Sequence, residues 1–158
     1  LDLGPYRKTA AKDSNPFTPA VNLYFGLEAA LDMMQKEGLD AIFARHARHR
    51  AAAQAGLKAM GLPLFAAEGC GSPAITAVAP EGIDAEQLRK AVKEKFDILL
   101  AGGQDHLKGQ VFRIGHLGYV CDRDVLTAVA AIESTLQSLG LHKGSMGAGV
   151  AAASAALG

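Results

Sequence analysis

The residues most able to do chemistry cluster in Gln110-Val111-Phe112-Arg113-Ile114-Gly115-His116-Leu117-Gly118. Read with a period of two, this run sets Gln110, Phe112 and Ile114 on one face of a strand and Val111, Arg113 and Gly115 on the other, so a cation stands where packing would favour an aliphatic side chain. A guanidinium is always charged, and its planar fork matches a carboxylate or phosphate two bonds at a time. Arg113 at the end of a short apolar strand, followed by a Gly-x-x-Gly turn, can receive an anion; the alternative is a surface arginine or one paired with a structural carboxylate. A second candidate lies in Asn15-Pro16-Phe17-Thr18-Pro19. The two prolines push Asn15 and Thr18 into extended conformations, which frees their side chains to bond outward. Thr18 is placed to cap the helix that follows, with Pro19 at its first position, or to offer its hydroxyl to an anion at the helix entry. Arg45-His46-Ala47-Arg48-His49-Arg50 has two histidines three apart, but no neighbouring thiol or carboxylate completes a metal site. It reads as a solvated basic face.

These residues need elements to hold them. Leu1 to Pro16 reads as an extended connector entering the domain. From Val21 to about Lys36, Leu23, Tyr24, Leu27, Ala30, Leu31 and Met34 recur at helical spacing, with Gly38 as the stop. A second helix runs from about Asp40 to Met60, with Ile42, Phe43, Ala53, Leu57 and Met60 as its stripe and Gly61 as its end. Short strands follow at Pro63–Ala66 and Ala74–Ala79, then a helix from about Ala85 to Lys95 behind an Asp84…Gln87 capping box. A third strand at Asp97–Leu100 leads into a flexible Gly102-Gly103 loop, and the fourth carries Arg113. Asp122 caps a last helix to about Leu139, with Val125, Leu126, Val129, Ile132, Leu136 and Leu139 inward. The 141–158 stretch, almost wholly Gly, Ala, Ser and Val, reads as a flexible tail. The predicted fold is an α/β, two-layer domain over residues 21–140: a small open four-stranded sheet, mainly antiparallel or mixed, with helices on one face.

Composition narrows the function classes. The 158 residues carry 16 Lys plus Arg against 16 Asp plus Glu, which removes the broad positive field that nucleic acid or an anionic membrane would require. No stretch approaches the roughly 20 unbroken apolar residues of a spanning helix. Cys70 and Cys121 are far apart and form no C-x-x-C, so a disulfide framework, zinc site or iron–sulfur cluster has no support in the pattern. A reducing, cytoplasmic setting is expected.

Phe17-Thr18-Pro19-Ala20-Val21, the paired helices through Ala44-Arg45-His46, Phe96-Asp97-Ile98 with its Gly102-Gly103 loop, and Arg113-Ile114-Gly115-His116-Leu117-Gly118 occur together in one order. Over residues 1 to about 140 the chain resembles the carboxy-terminal small domain of class V aminotransferases, pyridoxal-phosphate enzymes of fold type I, and within them the alanine–glyoxylate and serine–glyoxylate branch. The resemblance implies that Arg113 grips the substrate carboxylate and that Thr18 reaches the cofactor phosphate of the other subunit of a homodimer. Where part of the family has a phosphate-holding Tyr three residues before that Thr, this chain has Asn15. It also implies that the Schiff-base lysine belongs to a large domain preceding Leu1, so the chain would hold half an active site, inactive alone, for transfer between a small amino acid such as alanine or serine and the 2-oxo acid glyoxylate. Two other readings stand beside it: a non-catalytic small-carboxylate-binding module, and a subunit of a soluble hydrogenase, a label that some sequences of this kind carry.

Overall fold

The computed structural model describes residues 2–158, and the chain divides into two units, one ending at Ile42 and one spanning Phe43–Gly158. In the first unit, α1 (Gly4–Ala10) starts with proline in its first turn, where a missing N–H costs nothing. The stretch expected to be an extended connector therefore contains a two-turn helix. Tyr6 meets Phe17 edge to face at 6.2 Å between ring centres. Then α2 (Val21–Glu37) ends at Gly38, whose φ of +86° is the conformation a glycine stop supplies. None of its residues is buried: the predicted stripe of Leu23, Tyr24, Leu27, Leu31 and Met34 is exposed. Helix α3 (Leu39–Ala59) begins in this unit and continues into the second.

In the second unit, Ala52, Ala53, Leu57 and Met60 bring α3 into the core, whereas Phe43 stays exposed. Asp84 accepts from the Glu86 and Gln87 amides at 2.8 and 3.3 Å, so α4 (Ala85–Phe96) starts at the expected cap. It buries Leu88 and Val92, while Phe96 remains exposed. Helix α5 (Asp122–Ser138) buries Val125, Val129, Ile132 and Leu136. Its cap is Cys121 rather than Asp122, because the Asp124 carboxylate accepts from the Cys121 N–H at 2.9 Å and leaves Asp122 inside the first turn.

The sheet has three strands, not four. β1 (Ile75–Val78), β2 (Ala101–Gly102) and β3 (Phe112–Gly115) are arranged β1-β3-β2 with both pairings antiparallel. β1 and β2 therefore point the same way, α4 crosses between them, and β3 fills the gap, a split βαβ arrangement. The strand expected at Pro63–Ala66 is reduced to a single bridge, Leu64 to Val78, at the β1 edge, where a proline cannot extend a ladder. The strand expected at Asp97–Leu100 sits further along, at Ala101–Gly102, because Asp97 in the left-handed conformation ends α4 and residues 98–100 only carry the chain back. Phe112, Ile114 and Val78 face the core, each worth about 1.5–3 kcal/mol of apolar burial.

The Gly/Ala/Ser tail is ordered, which corrects the flexible-tail expectation. Residues 148–157 form α6 (Ala148–Leu157), packed on α5. Small side chains permit this closeness: a Cβ on Gly149 would lie 2.9 Å from Met60 Cγ. The buried Glu133 carboxylate accepts from the Gly149 N–H at 2.9 Å and faces His142 at 3.4 Å, so α5 caps the first turn of α6 from a distance.

Candidate functional site

Arg113 lies on the central strand, on the face opposite Phe112 and Ile114, as its alternation with them requires. Its cross-strand neighbours are Ala77 on β1 and Ala101 on β2, both short, and the residue is half-buried. Its Nε donates to the Gly102 carbonyl at 3.0 Å. Among the described residues no carboxylate comes within ion-pair distance of it. Arg89 makes the contrast: it pairs with Glu86 and donates to the Leu100 carbonyl at 2.7 Å. Gly102 is pressed between these two arginines, since a Cβ there would come 2.6 Å from Arg89 Nη1 while its carbonyl orients Arg113. One guanidinium is neutralised by a carboxylate; the other has no carboxylate partner among the described residues.

The chain after Arg113 is held by the basic segment of α3, which is a clamp and not the solvated face expected from sequence. Arg45 Nη1 donates to the carbonyls of Gly118 and Val120, at 3.0 Å each. Arg48 and the fully buried His49 both meet Asp122 Oδ1, at 2.9 and 2.8 Å. Arg48 first, and His49 second, hold the Asp122 carboxyl below the usual carboxylate range. His116, buried in the Gly115–Gly118 turn, meets Thr76 Oγ1 at 2.9 Å through Nε2. Burial pushes its pKa below the ordinary 6.5, helped by His49, His46 and Arg50 and opposed by its own backbone hydrogen bond. The signal for this clamp was the basic run itself; its partners lie more than seventy residues downstream.

Asn15 and Thr18 share one exposed segment of the first unit, between α1 and α2. The helix cap is Ala20, with no side-chain bond, so Thr18 does not cap α2. Arg113 belongs to the second unit. All nine lysines are exposed. Cys70 and Cys121 are free and exposed, and among the described residues no group of three His, Cys, Asp or Glu is arranged to hold a metal ion.

The profile of the family aminotransferase class V matches residues 7–124. This chain belongs to the class V aminotransferases. It is 63% identical over 157 residues to a protein named soluble hydrogenase, small subunit, from Synechococcus sp. (strain PCC 6716), a match covering 99% of this chain and 41% of that protein. It is 40% identical over 141 residues to a serine–glyoxylate aminotransferase of Arabidopsis thaliana, covering 88% of this chain and 35% of that enzyme. The crystal structure of ureidoglycine–glyoxylate aminotransferase from Bacillus subtilis matches it with a TM-score of 0.86 at 33% identity, over 98% of this chain and 41% of that one. This class V chain thus spans about two fifths of the length of such relatives. No helix among the described residues is long and apolar enough to cross a membrane.

Proposed function

We propose that this chain is the substrate-anchoring portion of a pyridoxal-phosphate-dependent aminotransferase that moves an amino group from a small donor, alanine or serine, to glyoxylate. The observation that carries the reading is Arg113: a half-buried guanidinium on a central strand, oriented through Nε and without an acidic partner among the described residues. A small amino acid and a small 2-oxo acid share one carboxylate, so a single bidentate anchor serves both halves of a transamination. Holding that carboxylate fixes where the neighbouring carbon stands, a positional contribution to rate. The Thr18 hydroxyl and the Asn15 amide, exposed and unbonded to other side chains, are suited to donate to the phosphate of the cofactor across a homodimer. The cofactor, when bound, supplies the electron sink for the carbon chemistry. None of the nine lysines here stands in a sequence context resembling a Schiff-base site, so the lysine that carries it would belong to another part of a longer, cytoplasmic protein. Residues 1–20 would then link to the domain that holds that lysine, and residues 21–140 form the small domain.

In that longer protein, Arg113→Ala should raise KM for donor and acceptor together by roughly 10- to 150-fold, the worth of a charge-assisted hydrogen-bonded pair of about 1.5–3 kcal/mol. Unchanged KM values would remove Arg113 from the site. Adding pyridoxal phosphate to the 158-residue chain and to the longer protein tests the enzyme reading: bound-cofactor absorption in the longer protein alone supports it, and none in either leaves a carboxylate-binding module. Stoichiometric iron or nickel in the longer protein would instead favour the chemistry named for the Synechococcus relative.

A further inference from the structure

A cavity of about 530 Å³ opens between α3, the 66–71 turn and the edge strand β1. Its α3 wall presents Arg50, Gln54 and Lys58, spaced four apart and so stacked along one helix face. All three are hydrogen-bond donors, and none makes a hydrogen bond or ion pair with another side chain among the described residues. Arg50 differs in this from Arg48 two residues earlier, which is committed to Asp122. Arg50 is half-buried, so its guanidinium is partly withdrawn from water without a protein partner among the described residues. The opposite wall includes Gly69 and Gly71, and a Cβ on Gly71 would sit 3.2 Å from Gln54 Nε2 and 3.4 Å from an Arg50 terminal nitrogen. The glycine therefore leaves unfilled a space that two donors already face. Glu68 lines the mouth as the one carboxylate, exposed and unpaired with either cation, so two positive charges stand against one negative. Arg113 is not in the lining.

We propose that this cavity binds a small oxyanion, with Arg50 and Gln54 donating to its oxygens and Lys58 contributing charge from the next turn. Arg50 provides the directional pair of bonds and Gln54 a neutral donor that favours an oxygen over a halide. Phosphate and a small carboxylate satisfy the same donors, and the two are separated by experiment. Thr76 lines the cavity and holds buried His116, whose protonation is disfavoured first by burial and, to the smallest extent, by the Arg50 charge. An anion seated on Arg50 offsets that charge, so occupancy should be visible at a histidine the ligand does not touch.

The test is calorimetric titration of the longer protein, saturated with pyridoxal phosphate, with inorganic phosphate in one arm, glyoxylate in another and chloride at matched ionic strength as the third. Saturable phosphate binding that chloride does not reproduce is expected. Arg50→Gln should weaken it about tenfold or more and Gly71→Ala at least several-fold, the effects of losing a charge-assisted pair and of filling the cradle. Glu68→Gln should tighten it. In a separate NMR titration across pH, the His116 ring resonance should move its midpoint upward with phosphate, and Arg50→Gln should abolish that movement even if the variant is less stable. Stronger binding of glyoxylate than phosphate, still lost in Arg50→Gln and retained in Arg113→Ala, would identify a carboxylate as the occupant. Absence of saturable binding in the phosphate and glyoxylate arms, equal competition by chloride, or loss in Arg113→Ala with Arg50→Gln unaffected would overturn the site.

Discussion

Arg113 and Arg89 flank the same glycine, yet among the described residues only Arg89 has a carboxylate partner, and the proposed role of Arg113 rests on that difference in neighbours. Arg113→Lys keeps the charge but loses the planar fork, so it should recover only part of the affinity lost in Arg113→Ala; full recovery would mean that charge alone matters there. Gly102→Ala should act without touching substrate. Its Cβ would collide with Arg89 at 2.6 Å and with Glu86 at 2.8 Å, which moves the carbonyl that aims Arg113. We expect KM for the amino donor to rise by about tenfold, in keeping with the sensitivity of anchored reactions to small misplacements, and unaltered kinetics would sever that link. His116 supplies the pH dependence. Its pKa is lowered in the fold, so its contribution is complete above the ordinary 6.5 and is lost as pH falls through the folded value, where the unfolded chain binds the proton more readily. Denaturant unfolding at pH 8 and at pH 5.5 should show that loss, and His116→Gln, which can still bond Thr76, should flatten it. An equally steep slope in the variant would remove His116 as its source.

At the level of elements, the sequence made legible whatever was local. Glycine stops at Gly38 and Gly61, the Asp84 cap and the alternation through Phe112, Arg113 and Ile114 are decided by a few neighbouring residues, and all appear where the spacing put them. What was illegible depended on distant partners. The basic run of α3 looked solvated because Gly118, Val120 and Asp122, which it grips, are more than seventy residues away. Thr18 looked like a cap because proline followed it, yet the helix begins two residues later, at Val21. The last helix escaped notice because its burial comes from smallness: Gly149 and Ala153 let two backbones approach where bulky anchors would have kept them apart. Glu133 is the residue that fixes it. Glu133→Ala would leave the buried Gly149 N–H without its acceptor and open a void, at a cost of about 2–4 kcal/mol. Hydrogen exchange should then show residues 148–157 losing protection before the α4–α5 core, and undiminished protection there would mean that packing alone retains α6.

For the whole molecule, the decisive fact is the contrast between the two units. The second has a continuous core from α3 through α5 and α6, whereas α2 in the first buries nothing and exposes Leu23, Tyr24, Phe25, Leu27 and Leu31 along its length. Those side chains recur at the spacing of an amphipathic stripe, and soluble proteins seldom leave such a patch open to water. The chain also spans only 41% of the length of its Synechococcus relative, which leaves most of a protein of that size available to cover the stripe. The same substitution should therefore have opposite effects in the two contexts. Leu27→Glu in the 158-residue chain should raise solubility and suppress self-association, seen by light scattering, because it breaks an exposed apolar face. In the longer protein it should lower the unfolding midpoint, since it would place a charge in a covered surface at a cost of about 2 kcal/mol or more. A neutral effect in the longer protein would mean that α2 stays open to solvent there too, and the proposed role of Thr18 and Asn15, just ahead of α2, would then lack a covered helix to hold them in place.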